Sequence, residues 1–190
     1  MIKETSAVLE KPKKMTLKEF EVPDIPSDGL LIKVQMAGIC GTDVKMYKGE
    51  LPKGYFGPRQ DEPHILGDEV VGRVAAIGKH AADRYHVKEG DRVVIEPKFG
   101  CGHCRYCLEG YFAQCKDSKN YGTIPIDESP SLWGAYGQYM YVAPNSRIHK
   151  VPENISQEAA CLKDGPMSRN ICRRYLHSTA LSGAPRQPTS

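Results

Sequence analysis

Four cysteines stand at positions 101, 104, 107 and 115, in the run Cys101-Gly-His-Cys-Arg-Tyr-Cys-Leu-Glu-Gly-Tyr-Phe-Ala-Gln-Cys115. Four thiolates offered this tightly can surround a tetrahedral Zn²⁺ at about 2.3 Å each. The two-residue gaps turn the backbone around an ion, and the seven-residue gap leaves room for a short helical turn that returns Cys115 to it. An iron–sulfur cluster is the first alternative, but ferredoxin-type runs close with a three-residue gap and a following proline. Here Lys116 follows a longer gap. Disulfides are the second alternative; seven cysteines is an odd count and nothing else marks the chain as secreted. His103 reads as exposed, not as a ligand. Four sulfurs leave no open coordination place, so the ion is expected to fold a lobe at about residues 98–118 and to catalyse nothing.

A fifth cysteine has a different setting. In Gly38-Ile-Cys-Gly-Thr-Asp43 a strand breaks at two glycines around Cys40, and a helix restarts at Thr42 and Asp43. An acid in a first helical turn is favoured by the helix dipole. The pattern is a strand-to-helix corner presenting Cys40, although a buried cysteine at a turn fits this stretch equally well.

The surrounding elements read mostly as β. Leu30, Ile32, Val34 and Met36 alternate with Leu31, Lys33, Gln35 and Ala37, the period of a half-buried strand. Before it lies a proline- and glycine-rich turn region at 22–29, and strands are expected over the first 37 residues generally. Val70, Val74 and Ile77 are core candidates of a glycine-punctuated strand. Glu89-Gly-Asp91 turns into the apolar run 92–95, a hairpin signal. Another strand follows Gly137, and Ser156 with Glu158 starts a helix. Short strands at this spacing predict a β-barrel or sandwich with small helices.

With 190 residues, 40% hydrophobic and 26% charged, the chain is long enough for one cored domain plus a tail. A net charge of +3 is too small to argue for nucleic acid. The charged start and the lack of an eighteen-residue apolar run argue against a signal peptide or membrane span, so a cytoplasmic location is expected.

Taken in order, Gly38-Ile-Cys-Gly-Thr-Asp43, Gly67-Asp-Glu-Val-Val-Gly72, Gly90-Asp-Arg-Val93, the four-cysteine lobe and Gly137-Gln-Tyr139 resemble the zinc-type medium-chain alcohol dehydrogenases. The resemblance covers about residues 1–162. It implies a GroES-like β-barrel with a four-cysteine zinc lobe, the catalytic half of a two-domain NAD(P)-dependent enzyme acting on a small alcohol or polyol. By the same resemblance, a catalytic-zinc ligand falls on Cys40, the proton-relaying hydroxyl on Thr42, a supporting acid on Asp43, and an acid able to swing onto zinc on Glu69.

Three departures qualify it. Asp68 stands where the family has a zinc-ligating histidine; a carboxylate can ligate zinc but makes it a poorer Lewis acid. His64, four residues earlier, is a remote substitute. The third ligand position falls near Lys163 to Gly165, where Lys163 cannot ligate as an ammonium and Asp164 requires a shifted register; Cys161 reads as a buried helix residue. Finally, residues 163–190 carry five Lys/Arg against one Asp, while the first 162 carry 21 basic and 22 acidic residues. No Gly-x-Gly-x-x-Gly phosphate cradle occurs in the chain. The basic tail reads as flexible or non-native, through truncation or a frame shift in preference to a natural stand-alone domain. The expected consequences are an incomplete catalytic zinc site, no NAD(P) binding by the chain alone, no turnover, and self-association through uncovered apolar surface. A structural zinc domain or remnant without activity is the alternative function.

Overall fold

The computed structural model describes residues 3–161; the expectations for the tail, including Lys163 and Asp164, lie outside them. The chain starts with a hairpin, β1 (Lys3–Lys11) and β2 (Lys14–Glu21), folded back at Pro12 and at Lys13, whose φ is 64°. After the turn region at 22–29 comes β3 (Leu30–Ala37), which runs into α1 (Gly41–Lys48). A long irregular stretch leads to the two-residue β4 (His64–Ile65), then to β5 (Val70–Ile77), α2 (Lys79–Tyr85) and β6 (Arg92–Ile95). The lobe follows, between β7 (Lys98–Phe99) and β8 (Lys119–Asn120), and contains α3 (Arg105–Leu108). The chain then returns through β9 (Tyr139–Val142) and β10 (Ile148–Lys150) to α4 (Gln157–Cys161).

The strands form a three-stranded sheet in the order β2-β1-β4, a five-stranded sheet in the order β10-β6-β5-β3-β9, and the small β7–β8 pair. Residues 136–139 stitch the two larger sheets. Ala7 N donates to Tyr136 O at 2.7 Å from one side, and Val34 N donates to Gln138 O at 2.9 Å from the other. Both sheets feed one apolar core: Val8 and Ile65 from the first meet Leu30, Ile32, Val74, Val93 and Met140 from the second, all at most 2% exposed. Each such side chain contributes roughly 1.5–3 kcal/mol by leaving water. This is the mostly-β architecture that the strand spacing predicts and the GroES-like form that the resemblance implies.

The strand pattern differs from expectation in β3. Leu31, placed on the outward face by strict alternation, is 3% exposed. Lys33 is exposed as alternation expects, and the register of β3 against β5 shifts between Leu31 and Ile32, so the alternation breaks at an irregularity that the sequence does not mark. The 89–91 turn does send β6 antiparallel onto β5, but α2 is inserted between them. No side chain caps α2, whose N-cap is Gly78, so the sequence carried no start signal for it. The helix after Ser156 begins as expected, with Ala159 N donating to Ser156 Oγ at 3.2 Å.

Candidate metal centre and catalytic face

The lobe is a loop closed at its base by the pairing of Lys98 with Asn120 and of Phe99 with Lys119. Within it, α3 begins at Cys104, and a 3-10 turn at Phe112–Gln114 carries the chain back, Cys115 N donating to Phe112 O at 3.1 Å. That is the short helical return the seven-residue gap implied. The Sγ atoms of Cys101, Cys104, Cys107 and Cys115 lie within 4.8 Å of one another, and those of Cys101 and Cys107 are 3.9 Å apart. A tetrahedron with bonds of about 2.3 Å has edges of roughly 3.8 Å, so the four thiols fit one zinc with small adjustments. None of the six described cysteines is in a disulfide.

The chemistry of the donors agrees. The His103 and Cys104 amides lower the Cys101 thiol to about 6, whereas burial pushes Cys107 up to about 12. Gly100 is required beside them, since a Cβ there would lie 2.5 Å from Cys107 Sγ. His103 is exposed, its Nδ1 turned to the Cys101 carbonyl at 3.1 Å. The lobe is tied to the barrel through Arg147, whose guanidinium stacks on the Phe112 ring at 4.4 Å and donates to Gly110 O at 3.1 Å.

The second group gathers where β3 and β4 end. Cys40 is the N-cap of α1: its Sγ accepts from Thr42 N at 3.4 Å, and its own N–H donates to Asp43 Oδ2 at 2.9 Å. This capping box satisfies two first-turn donors and fixes the corner. Asp43, 6% exposed, also accepts from Gly67 N at 3.2 Å and from the Tyr136 hydroxyl at 2.9 Å. The turn at 67–69 carries Asp68 and Glu69. Gly38 N donates to Glu69 O at 2.8 Å, and the buried Cys161 thiol donates to the same carbonyl at 3.4 Å. Burial raises the Cys161 pKa, and the charge of Glu69 raises it further. Tyr136 is likewise held well above the usual phenol range, by burial first and then by the charges of Asp43, Asp68 and Cys40.

Cys40, Thr42, Asp43, Asp68 and Glu69 thus belong to two adjoining turns. They do not complete a metal site: among the described residues, the lobe cysteines are the one group of three or more His, Cys, Asp or Glu arranged to hold an ion. His64 does not supply the missing imidazole. It is buried in β4, paired with Leu9 and bridged to Pro125.

A cleft of about 390 Å³ opens on this face. Thr42 and Asp68 line it together with Lys98, Asn120 and Thr123 from the lobe's base, and with Tyr55 and Phe56. None of these last five residues was singled out by the sequence, nor was Tyr136. They converge from segments up to eighty residues apart, and no local spacing marks them.

The fold and the two groups define a GroES-like domain with a four-thiol lobe and a second cluster of polar side chains at the strand ends. The profile of the alcohol dehydrogenase GroES-like domain matches residues 26–153, and the chain belongs to that family. It is 38% identical over 158 residues to a probable alcohol dehydrogenase of Mycobacterium tuberculosis, a match covering 82% of this chain and 41% of that protein. It is 35% identical over 157 residues to the sorbitol dehydrogenase of Bacillus subtilis, covering 83% and 41% respectively. In structure it is similar to an alcohol dehydrogenase of Thermotoga maritima, with a TM-score of 0.71 and 30% identity over 86% of this chain and 44% of that one. The chain spans about two fifths of the length of the curated relatives it matches.

Proposed function

We propose that the chain is the catalytic-domain portion of a zinc-dependent, NAD(P)-linked dehydrogenase acting on a small polyhydroxylated alcohol. The observation that carries this reading is the cleft in which Thr42 and Asp68 face Lys98, Asn120 and Thr123. Six of its seven lining side chains, all but Phe56, offer hydrogen-bonding groups, which matches a substrate with several hydroxyls better than an alkyl alcohol.

Zinc belongs to the lobe, held by Cys101, Cys104, Cys107 and Cys115, where it folds the chain. A metal beside Cys40 and Asp68 would supply Lewis acidity, but the described residues do not complete its ligand set. Thr42 has the role of accepting the alcohol proton and passing it to solvent. Asp43 holds the Cys40 corner, and Glu69 stands beside it. Nicotinamide has to be presented by a nucleotide-binding unit, because this sequence contains no glycine-rich phosphate cradle. Positioning of that kind is worth many powers of ten in rate, so the chain alone should not turn over.

Titration of the 190-residue chain with xylitol or sorbitol, against 1-propanol, tests the reading. Amide shifts at Thr42, Asp68, Asn120 and Thr123 are expected with the polyols and not with propanol, without saturable NAD or NADP binding. Equal, unlocalised shifts for all three alcohols would contradict the substrate class, and micromolar nucleotide binding would contradict the division of labour.

A further inference from the structure

Tyr136 lies outside the regular elements but is fixed from both sides. Its N–H donates to Leu66 O at 3.0 Å, and its carbonyl accepts from Ala7 N at 2.7 Å. The ring then crosses Gly67, whose φ is +92° and where an added Cβ would fall 2.7 Å from Tyr136 Cδ1. Only a residue without a side chain allows both that backbone and that ring. The hydroxyl arrives 2.9 Å from Asp43 Oδ2 and 3.3 Å from the Gly38 carbonyl. It has one proton to give, and the ionised carboxylate is the stronger acceptor.

Asp43 is where two turns meet. Its Oδ2 takes the Cys40 amide at 2.9 Å, from the turn that presents Cys40 and Thr42. Its Oδ1 takes the Gly67 amide at 3.2 Å, from the turn that presents Asp68 and Glu69. The two turns also meet through the backbone at one end, where Gly38 N donates to Glu69 O at 2.8 Å; the carboxylate adds the tie between the Cys40 and Gly67 ends. A carboxylate that is 6% exposed and has about four acceptor sites is held poorly by two amides. The phenol supplies the third donor, from a direction the backbone cannot reach.

We propose that Tyr136 is a positioning residue for the reactive face: its hydroxyl anchors the Asp43 carboxylate, which locks the 38–43 and 67–69 turns in one relative placement across the cleft. The assignment rests on reading Cys40, Thr42 and Asp68 as the reactive end of the cleft. The brace itself needs no metal. It also places the reach of the fold's first strand at the site, since Ala7 of β1 holds the backbone of Tyr136.

Replacing Tyr136 by Phe keeps the ring against Gly67 and removes only the donor, so packing and hydrogen bonding make opposite forecasts. Site-resolved amide hydrogen exchange is measured on the whole 190-residue chain, on Tyr136→Phe and on Asp43→Asn, together with alkylation of Cys40 read by peptide mass spectrometry. The Cys40 and Gly67 amides are expected to exchange at least ten-fold faster in Tyr136→Phe, with Cys40 alkylated several-fold faster and the Ile32 and Val93 amides unchanged. Asp43→Asn, which weakens the acceptor and leaves the phenol, is expected to accelerate the same two amides. Unchanged exchange at Cys40 and Gly67 in Tyr136→Phe overturns the proposal, and so does acceleration spread equally to Ile32 and Val93. Zinc content measured on the same samples tests the dehydrogenase reading separately. Zinc-free wild type would sink that reading while the amide pattern still decides the role of Tyr136.

Discussion

His64 is 1% exposed within β4, and burial holds its imidazole below the usual histidine range, with the Glu62 and Thr123 backbone opposing in part. In the unfolded chain it takes a proton at about pH 6.5. Between the two pKa values the unfolded state binds more protons, so the stability tied to His64 is full above about pH 6.5 and falls as the pH drops below it. Urea unfolding at pH 7.5 and 5.5 should show a larger acid loss for the wild type than for His64→Leu. Glu4, whose carboxyl burial raises, acts in the opposite sense but cancels in that difference. Identical pH dependence in the two proteins would remove His64 as the cause. At this scale the sequence was legible where a residue's role is local. Cys40 as a helix corner followed from glycines and an acid within six positions. The second task of Asp43, gripping Gly67 and Tyr136, depends on contacts 24 and 93 residues away, which no spacing displays.

Among the elements, the lobe is the one whose stability we expect to rest on a ligand. It contributes Cys115 and Phe99 as buried residues at its base, while Tyr106, Leu108 and Tyr111 are 48%, 75% and 60% exposed. With so little apolar burial of its own, it is expected to depend on a metal held by its four cysteines. Structural zinc in small domains supplies on the order of 10 kcal/mol of apparent binding energy at neutral pH. The lobe is a loop joined to the barrel at the β7–β8 pair and through Arg147, so losing one ligand should open the lobe first. Cys104→Ser is expected to make residues 98–118 the first site of limited proteolysis and to lower the zinc retained on dialysis. Unchanged cleavage and unchanged zinc would contradict this. The lobe was the most readable element, because four thiols crowded into fifteen residues declare a shared ion through local spacing alone. The central strands were less so. β3 loses its alternation at Leu31, where its register against β5 shifts, and α2 forms without a capping residue.

For the molecule as a whole, the α1 corner, the 67–69 turn and the base of the lobe converge on one polar cleft. The order of short motifs was enough to read the family, although the cleft's lining was not. Exposed Leu17 on β2 and Ile39 beside Cys40, each 75% exposed, are the surfaces through which we expect copies to associate. Among the described residues no helix is long and apolar enough to cross a membrane. In the zinc-built catalytic domain we propose, the lobe alone among the described residues holds a complete ligand set, and elemental analysis after dialysis against a mild chelator tests this most directly. Close to one zinc per chain is expected, with the second position beside Cys40 and Asp68 contributing little. A chain that retains no zinc while remaining folded would contradict the lobe, and two tightly held zinc ions would contradict the incompleteness of the Cys40–Asp68 site.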